Sequence, residues 1–101
     1  MKLAQYNIYI IECESGNFYT GYTTDITRRY AEHVAGSNKC KYTKANPPKR
    51  LAAYWELNAS LSDIMRIEHA IKKLSKKEKT MLINNTDGFN IILKQLNIAT
   101  T

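Results

Sequence analysis

Two short β-type runs joined by a tight turn constrain the N-terminal part of this chain more than any other feature. Asn7-Ile8-Tyr9 lies in the first run and Tyr19-Thr20-Gly21 in the second, with the turn residues Ser15-Gly16-Asn17 between them. Strand residues alternate faces, so Asn7, Tyr9 and Ile11 share one face, and Tyr19 and Gly21 share one face of the next strand. Paired as a hairpin, the two runs make Tyr9 and Tyr19 cross-strand neighbours, both hydroxyls facing the same space. Tyrosine is also an ordinary strand residue, so the hairpin alone does not specify a function.

Two helices carry polar residues where apolar ones are expected. The first opens at Thr24 or Asp25 as N-cap and meets no glycine or proline until Gly36. At about 100° per residue, Ile26, Arg29, Tyr30 and His33 fall on one arc, while Arg28 is turned away from it. Arg29 as a snorkelling stem and His33 as a satisfied core histidine are the plain alternatives. The second helix is capped by Ser60 or Ser62 and shows Leu61, Ile64, Ile67, Ile71 and Leu74 at helical spacing. Glu68 projects inside that apolar arc, and carboxylates are seldom buried unless paired or bound to a metal. An i, i+4 pair with Lys72 is the simpler account of it.

Between and beyond these helices the organisation is readable. Gly36-Ser37-Asn38 breaks the chain, and Lys39-Cys40-Lys41-Tyr42-Thr43-Lys44 has room for a helical turn before Asn46-Pro47-Pro48. Arg50 to Leu57 reads as a third strand, with Leu51, Ala53, Trp55 and Leu57 on one face. Ser75 opens a helix from Lys76 to Ile83, with Glu78 completing a capping box. The expected fold is α+β: a small three-stranded antiparallel sheet flanked by helices, in the order β-β-α-β-α-α. Residues 1–85 are expected to form the domain. Residues 86–101 form a C-terminal extension in which Phe89, Ile92, Leu93 and Leu96 can make a short amphipathic helix.

Asn7-Ile8-Tyr9, Tyr19-Thr20-Gly21, Arg29, His33 and then Glu68 on a downstream helix form a pattern that resembles the GIY-YIG nuclease superfamily. The likeness covers roughly residues 5–83 and is greatest to small stand-alone members and to the catalytic domain of excision-repair nucleases. It implies the same sheet and helices, and hydrolysis of phosphodiester bonds by Tyr9, Tyr19, Arg29, His33 and Glu68. Glu68 would bind one Mg2+ or Mn2+, hard cations that keep several waters, and Arg29 would hold phosphate oxygens through its planar fork. The family mechanism makes Tyr9 the general base toward water, Tyr19 a positioning or proton-shuttling hydroxyl, and His33 an aid to proton transfer or to the orientation of Tyr9. Two features depart from the pattern. Asn7 replaces the first glycine, and Tyr22 stands where excision-repair members have lysine.

Composition agrees with a nucleic-acid enzyme without requiring one. The 101 residues are 44% hydrophobic with a net charge of +6, which suits one globular domain and a polyanionic partner. No apolar run is long enough for a membrane span, no signal-peptide pattern stands at the N-terminus, and Cys13 and Cys40 have no metal-ligand spacing. A cytoplasmic, reducing location is expected. Lys39, Lys41, Tyr42 and Lys44 are the candidate substrate contacts, lysines neutralising phosphates and the tyrosine stacking; a solvated loop is the alternative. Lys72, Lys73, Lys76, Lys77 and Lys79 spread around two helices and read as solubilising surface. The expected function is a divalent-metal-dependent endonuclease acting on DNA, selective for structure because no recognition domain is attached, with any targeting supplied by a protein partner. The alternative is a nucleic-acid-binding module of the same fold with little or no turnover. Substrate structure and oligomeric state are not legible.

Overall fold

A computed structural model describes residues 2–99. The elements are β1 (Ala4–Cys13), β2 (Phe18–Thr23), α1 (Ile26–Ala35), α2 (Lys41–Ala45), β3 (Pro48–Ala59), α3 (Leu61–Lys72), α4 (Lys76–Asn84) and α5 (Gly88–Gln95). The sheet is antiparallel with strand order β2-β1-β3. β1 is therefore central and covered on both sides, and Asn7 to Ile11 are all buried rather than alternately exposed. The β1–β2 turn closes with Gly16 at φ 88°, a left-handed conformation that glycine takes without a Cβ clash.

The two faces of the sheet carry separate cores. Ile8 and Ile10 of β1 pack with Leu57, with Ile64, Ile67 and Ile71 of α3, and with Leu82, Phe89, Leu93 and Ile98. Tyr9, Ile11 and Cys13, on the opposite face, pack with Tyr19, Ile26, Tyr30 and Leu51. Leu51 was expected to share a face with Ala53, Trp55 and Leu57. A register shift on β3 pairs Ile10 with Ala53 but Ile11 with Leu51, leaving Ala52 as an extra residue. This bulge turns Leu51 to the tyrosine face.

Helix ends follow the local chemistry. Asp25 caps α1 by accepting from Arg28 N, and Ser60 caps α3 by accepting from Asp63 N. Ser75 and Glu78 cap α4 reciprocally. Gly36 ends α1 in the left-handed conformation at φ 70°. Beyond residue 85, Phe89 stacks on Trp55 with ring centroids 4.7 Å apart, and Phe89 and Leu93 are buried in the α3-side core. Among the described residues no helix is long and apolar enough to cross a membrane.

Candidate active site

The register of the hairpin sets the site. Tyr9 lies opposite Gly21, and Ile11 lies opposite Tyr19, so the two tyrosines are diagonal and not directly paired. Their ring centroids are 6.3 Å apart. Tyr9 projects across Gly21, where a Cβ would come within 2.6 Å of its hydroxyl. The missing side chain gives Tyr9 a path toward the outer edge of β2.

At that edge lies a cleft of about 480 Å³ lined by residues that include Tyr9, Tyr19, Arg29 and Glu68. Tyr9 and Glu68 come from opposite layers, since α3 packs on the face of the sheet away from the Tyr9 core. They border one cleft because β2 is an edge strand with a glycine in its wall. Tyr6 and Tyr22 complete the wall on the α3 side, their rings edge-on at 6.2 Å.

His33 does not line the cleft; it supports Tyr9 from behind. It is 1% exposed, with Nε2 2.8 Å from the Tyr9 hydroxyl and Nδ1 2.6 Å from Thr43 Oγ1. The Thr43 hydroxyl donates to the Cys40 carbonyl at 3.3 Å, so its oxygen accepts from His33 Nδ1–H. That leaves Nε2 as acceptor for the Tyr9 O–H. Burial, then repulsion from Arg29, pushes the His33 pKa down to about 4 against a weaker pull from Glu32. His33 is therefore neutral at pH 7, its Nε2 lone pair accepting the Tyr9 hydroxyl's hydrogen bond.

Tyr9 itself is 0% exposed. Burial raises its pKa, and the neighbouring Arg29 offsets only part of that rise. Arg29 is held by Glu32, with Nη1 3.1 Å from Oε1. That bond in turn holds the Glu32 carboxyl below the usual range. Glu68 pairs with Lys72 at 3.6 Å, as the i, i+4 spacing allows, while also lining the cleft. At that separation, with Glu68 only 19% exposed, the pair is a loose one and the carboxylate remains at the cleft. Among the described residues no three His, Cys, Asp or Glu side chains cluster. Glu32 and Glu68 both line the cleft, but Glu32 is held by Arg29. A single available carboxylate, Glu68, suits a hard cation that keeps waters and takes a phosphate oxygen, so the donor set fits Mg2+ or Mn2+.

The candidate substrate contacts divide. Lys39 lines the cleft, and Tyr42 stacks on Tyr19 with centroids 5.4 Å apart. Lys41 is exposed outside the cleft, and Lys44 Nζ is tied to Asn38 Oδ1 at 2.8 Å. Arg28, expected to point away, lines the cleft beside Arg29. The side chain is long, and the cleft extends past Thr23 and Thr24 to reach it. Sequence reasoning missed Glu32 and Thr43. Glu32 was findable as the i, i+3 partner of Arg29, whereas Thr43 reaches His33 only because α2 folds back on α1. Asn7 is buried, and its Oδ1 has no hydrogen-bond partner among the described residues.

Comparison with known proteins agrees with the geometry. Residues 5–84 match the model of the GIY-YIG catalytic domain. A UPF0213 protein from Halalkalibacterium halodurans is 42% identical over 81 residues, covering 80% of this chain and 84% of that protein. Another from Halobacterium salinarum is 47% identical over 77 residues, covering 76% of this chain and 97% of that protein. The solution NMR structure of a UPF0213 protein from Bacillus halodurans superposes with a TM-score of 0.52 at 36% identity, over 95% of this chain and all of that one. This chain belongs to the GIY-YIG family, a family of nucleases, and its relatives there are UPF0213 proteins.

Proposed function

We propose that this protein is a divalent-metal-dependent endonuclease that hydrolyses phosphodiester bonds in DNA and selects substrates by structure rather than sequence. The observation that carries this reading is the cleft at the β2 edge, where Tyr9, hydrogen-bonded to His33 behind it, borders one space with Arg29 and the carboxylate of Glu68. Arg29, beside Arg28 and Lys39, binds the phosphate and offsets its charge. Tyr9 then takes a proton from the attacking water as it passes its own to His33 Nε2. This relay avoids a free phenolate, which burial disfavours. Glu68 would hold the Mg2+ or Mn2+, which supplies charge neutralisation at the phosphate. Tyr19 positions the water.

A second reading, a nucleic-acid-binding module of this fold without turnover, is favoured by the full burial of Tyr9. One experiment separates the two. Wild type, Glu68→Gln and Arg29→Ala are compared on single-stranded, flap, branched and duplex DNA with Mg2+ or Mn2+. Glu68→Gln should bind DNA in chelator as well as wild type and lose cleavage by orders of magnitude. Arg29→Ala should lose affinity as well as rate. Binding without metal-dependent cleavage by wild type would establish the second reading, and full cleavage by Glu68→Gln would reject the proposed site.

A further inference from the structure

The lysines after Glu68 look like solubilising surface in the sequence, but the fold gives three of them a shared setting. A second hollow, of about 180 Å³, lies beside the cleft. Asn17 and Phe18 of the hairpin, Tyr42 of α2, and Lys76 and Lys79 of α4 line it. The two hollows meet at an aromatic ridge, since Tyr19 lines the cleft, Tyr42 lines the second hollow, and their rings are stacked. Tyr42 has one face covered by Tyr19 yet remains 38% exposed. Lys72 lines neither hollow, but its charge acts on a residue of each. Its ammonium is 3.6 Å from Glu68 of the cleft. It is also near enough to Lys79 to add to the depression of that group's pKa that burial begins. Neither Lys76 nor Lys79 has a carboxylate partner among the ion pairs of the described residues. Like charges gathered this way repel one another, and a bound anion relieves the repulsion.

We propose that this hollow binds one unpaired nucleotide of a single strand that continues from the cleft, its base on the free face of Tyr42 and its phosphate between Lys76 and Lys79. The inference rests on the endonuclease reading and narrows its substrates to nucleic acids with a single-stranded stretch beside the cleavage position. The narrowing follows from stacking. Within a duplex both faces of a base are covered by its neighbours, so only a splayed or unpaired base can lie on a tyrosine. The hollow is less than half the volume of the cleft, on the scale of one base with its phosphate outside, and too small for a helix. Lysines are flexible point charges without the fork that reads base edges, so the contact tolerates any sequence.

The test is equilibrium binding by fluorescence anisotropy in chelator, across a range of salt, with an oligothymidine strand and a blunt duplex as probes. Wild type, K76A/K79A, Tyr42→Leu and Tyr42→Phe are compared, each checked by its thermal melt. The lysine double variant should lose affinity for the single strand, and its log–log salt slope should fall by about 0.7, the share of the one phosphate held between the two lysines. Tyr42→Leu should bind the strand on the order of tenfold more weakly at unchanged slope, and Tyr42→Phe, which keeps the ring, should bind as wild type. Affinity for the blunt duplex should change less than about twofold in all three variants. Equal losses on both probes, or none on the strand, would overturn the proposal. If the double variant fails to melt cooperatively, the two Tyr42 variants decide alone. A wild-type protein that binds the strand in chelator but cleaves no substrate once Mg2+ or Mn2+ is supplied would refute the endonuclease reading and leave the strand site standing. A wild type that cleaves while the lysine variant binds normally would refute only the strand site.

Discussion

Gly21 is the residue on which the site's geometry depends most directly. Its position opposite Tyr9 leaves 2.6 Å to the Tyr9 hydroxyl and 2.8 Å to Cζ from any Cβ placed there, and 3.1 Å to Tyr19 Cε2. Gly21→Ala must displace the Tyr9 ring from His33. Overpacking of this kind costs about 1–3 kcal/mol, so a urea-denaturation midpoint well below wild type is expected, with cleavage lost. An unchanged midpoint would mean that Tyr9 has slack that the register does not suggest. His33 gives a second expectation at this scale. Its pKa falls from about 6.5 in the unfolded chain to about 4 in the folded one. As pH drops through this window the unfolded state takes up the proton first, so stability is complete above about 6.5 and declines toward 4. At about 1.4 kcal/mol per unit, the loss is roughly 3 kcal/mol, and His33→Gln should flatten that part of a stability–pH profile. Strand alternation and helical spacing made Tyr9, Tyr19, Arg29 and Glu68 legible as polar groups in unusual places, but only the family resemblance joined them, since Glu68 comes from the opposite layer and meets Tyr9 across the β2 edge. Arg28 was misplaced by the same reasoning, since angular separation on a helix does not limit where a long flexible side chain ends.

At the scale of elements, the three strands and the helices α1, α3 and α4 were readable in their chain order from periodicity and caps, whereas the sheet order β2-β1-β3 was not. The Ala52 bulge was not, because alternation in the sequence assumes an unbroken ladder. The role of the last segment was also open, since an amphipathic helix states that it has an apolar face but not what covers it. In the fold, Phe89, Leu93 and Ile98 join Ile8, Ile64 and Ile67 in one core. Burying three such side chains contributes on the order of 5–8 kcal/mol, comparable with the whole stability of a domain this size. Removing residues 86–101 should therefore abolish the cooperative thermal transition seen by circular dichroism. A chain of residues 1–85 that melts near the wild-type temperature would show that the sheet and α3 need no cover from α5. Phe89→Ala offers a graded version, costing about 3–5 kcal/mol as both the core and the stack on Trp55 are lost.

Across the whole molecule, the net charge of +6 matters through its placement. The sequence identifies a basic chain and a lysine-rich loop, but it cannot show which lysines face the cleft, because that depends on how α2 returns to α1. Lys39 borders the cleft, Lys41 is exposed outside it, and Lys44 is bound to Asn38. Their expected contributions to DNA binding differ accordingly. Lys39→Ala should lower the log–log salt slope of binding by about 0.7–0.9, the share of one released counterion. Lys44→Ala should leave the slope nearly unchanged, since its ammonium already has a partner and would have to give it up to reach a phosphate. The triple variant with Lys41 should therefore lower the slope by roughly 0.7–1.8, short of the 2.1–2.7 that three equal contacts would give. Titrations in chelator at several salt concentrations measure this without turnover. A reduction shared equally among the three lysines would mean that the loop meets the backbone along its whole length and that the Lys44–Asn38 bond breaks on binding. An unchanged slope in all variants would move the phosphate path off this loop, leaving Arg28 and Arg29 as the cleft's cations for DNA.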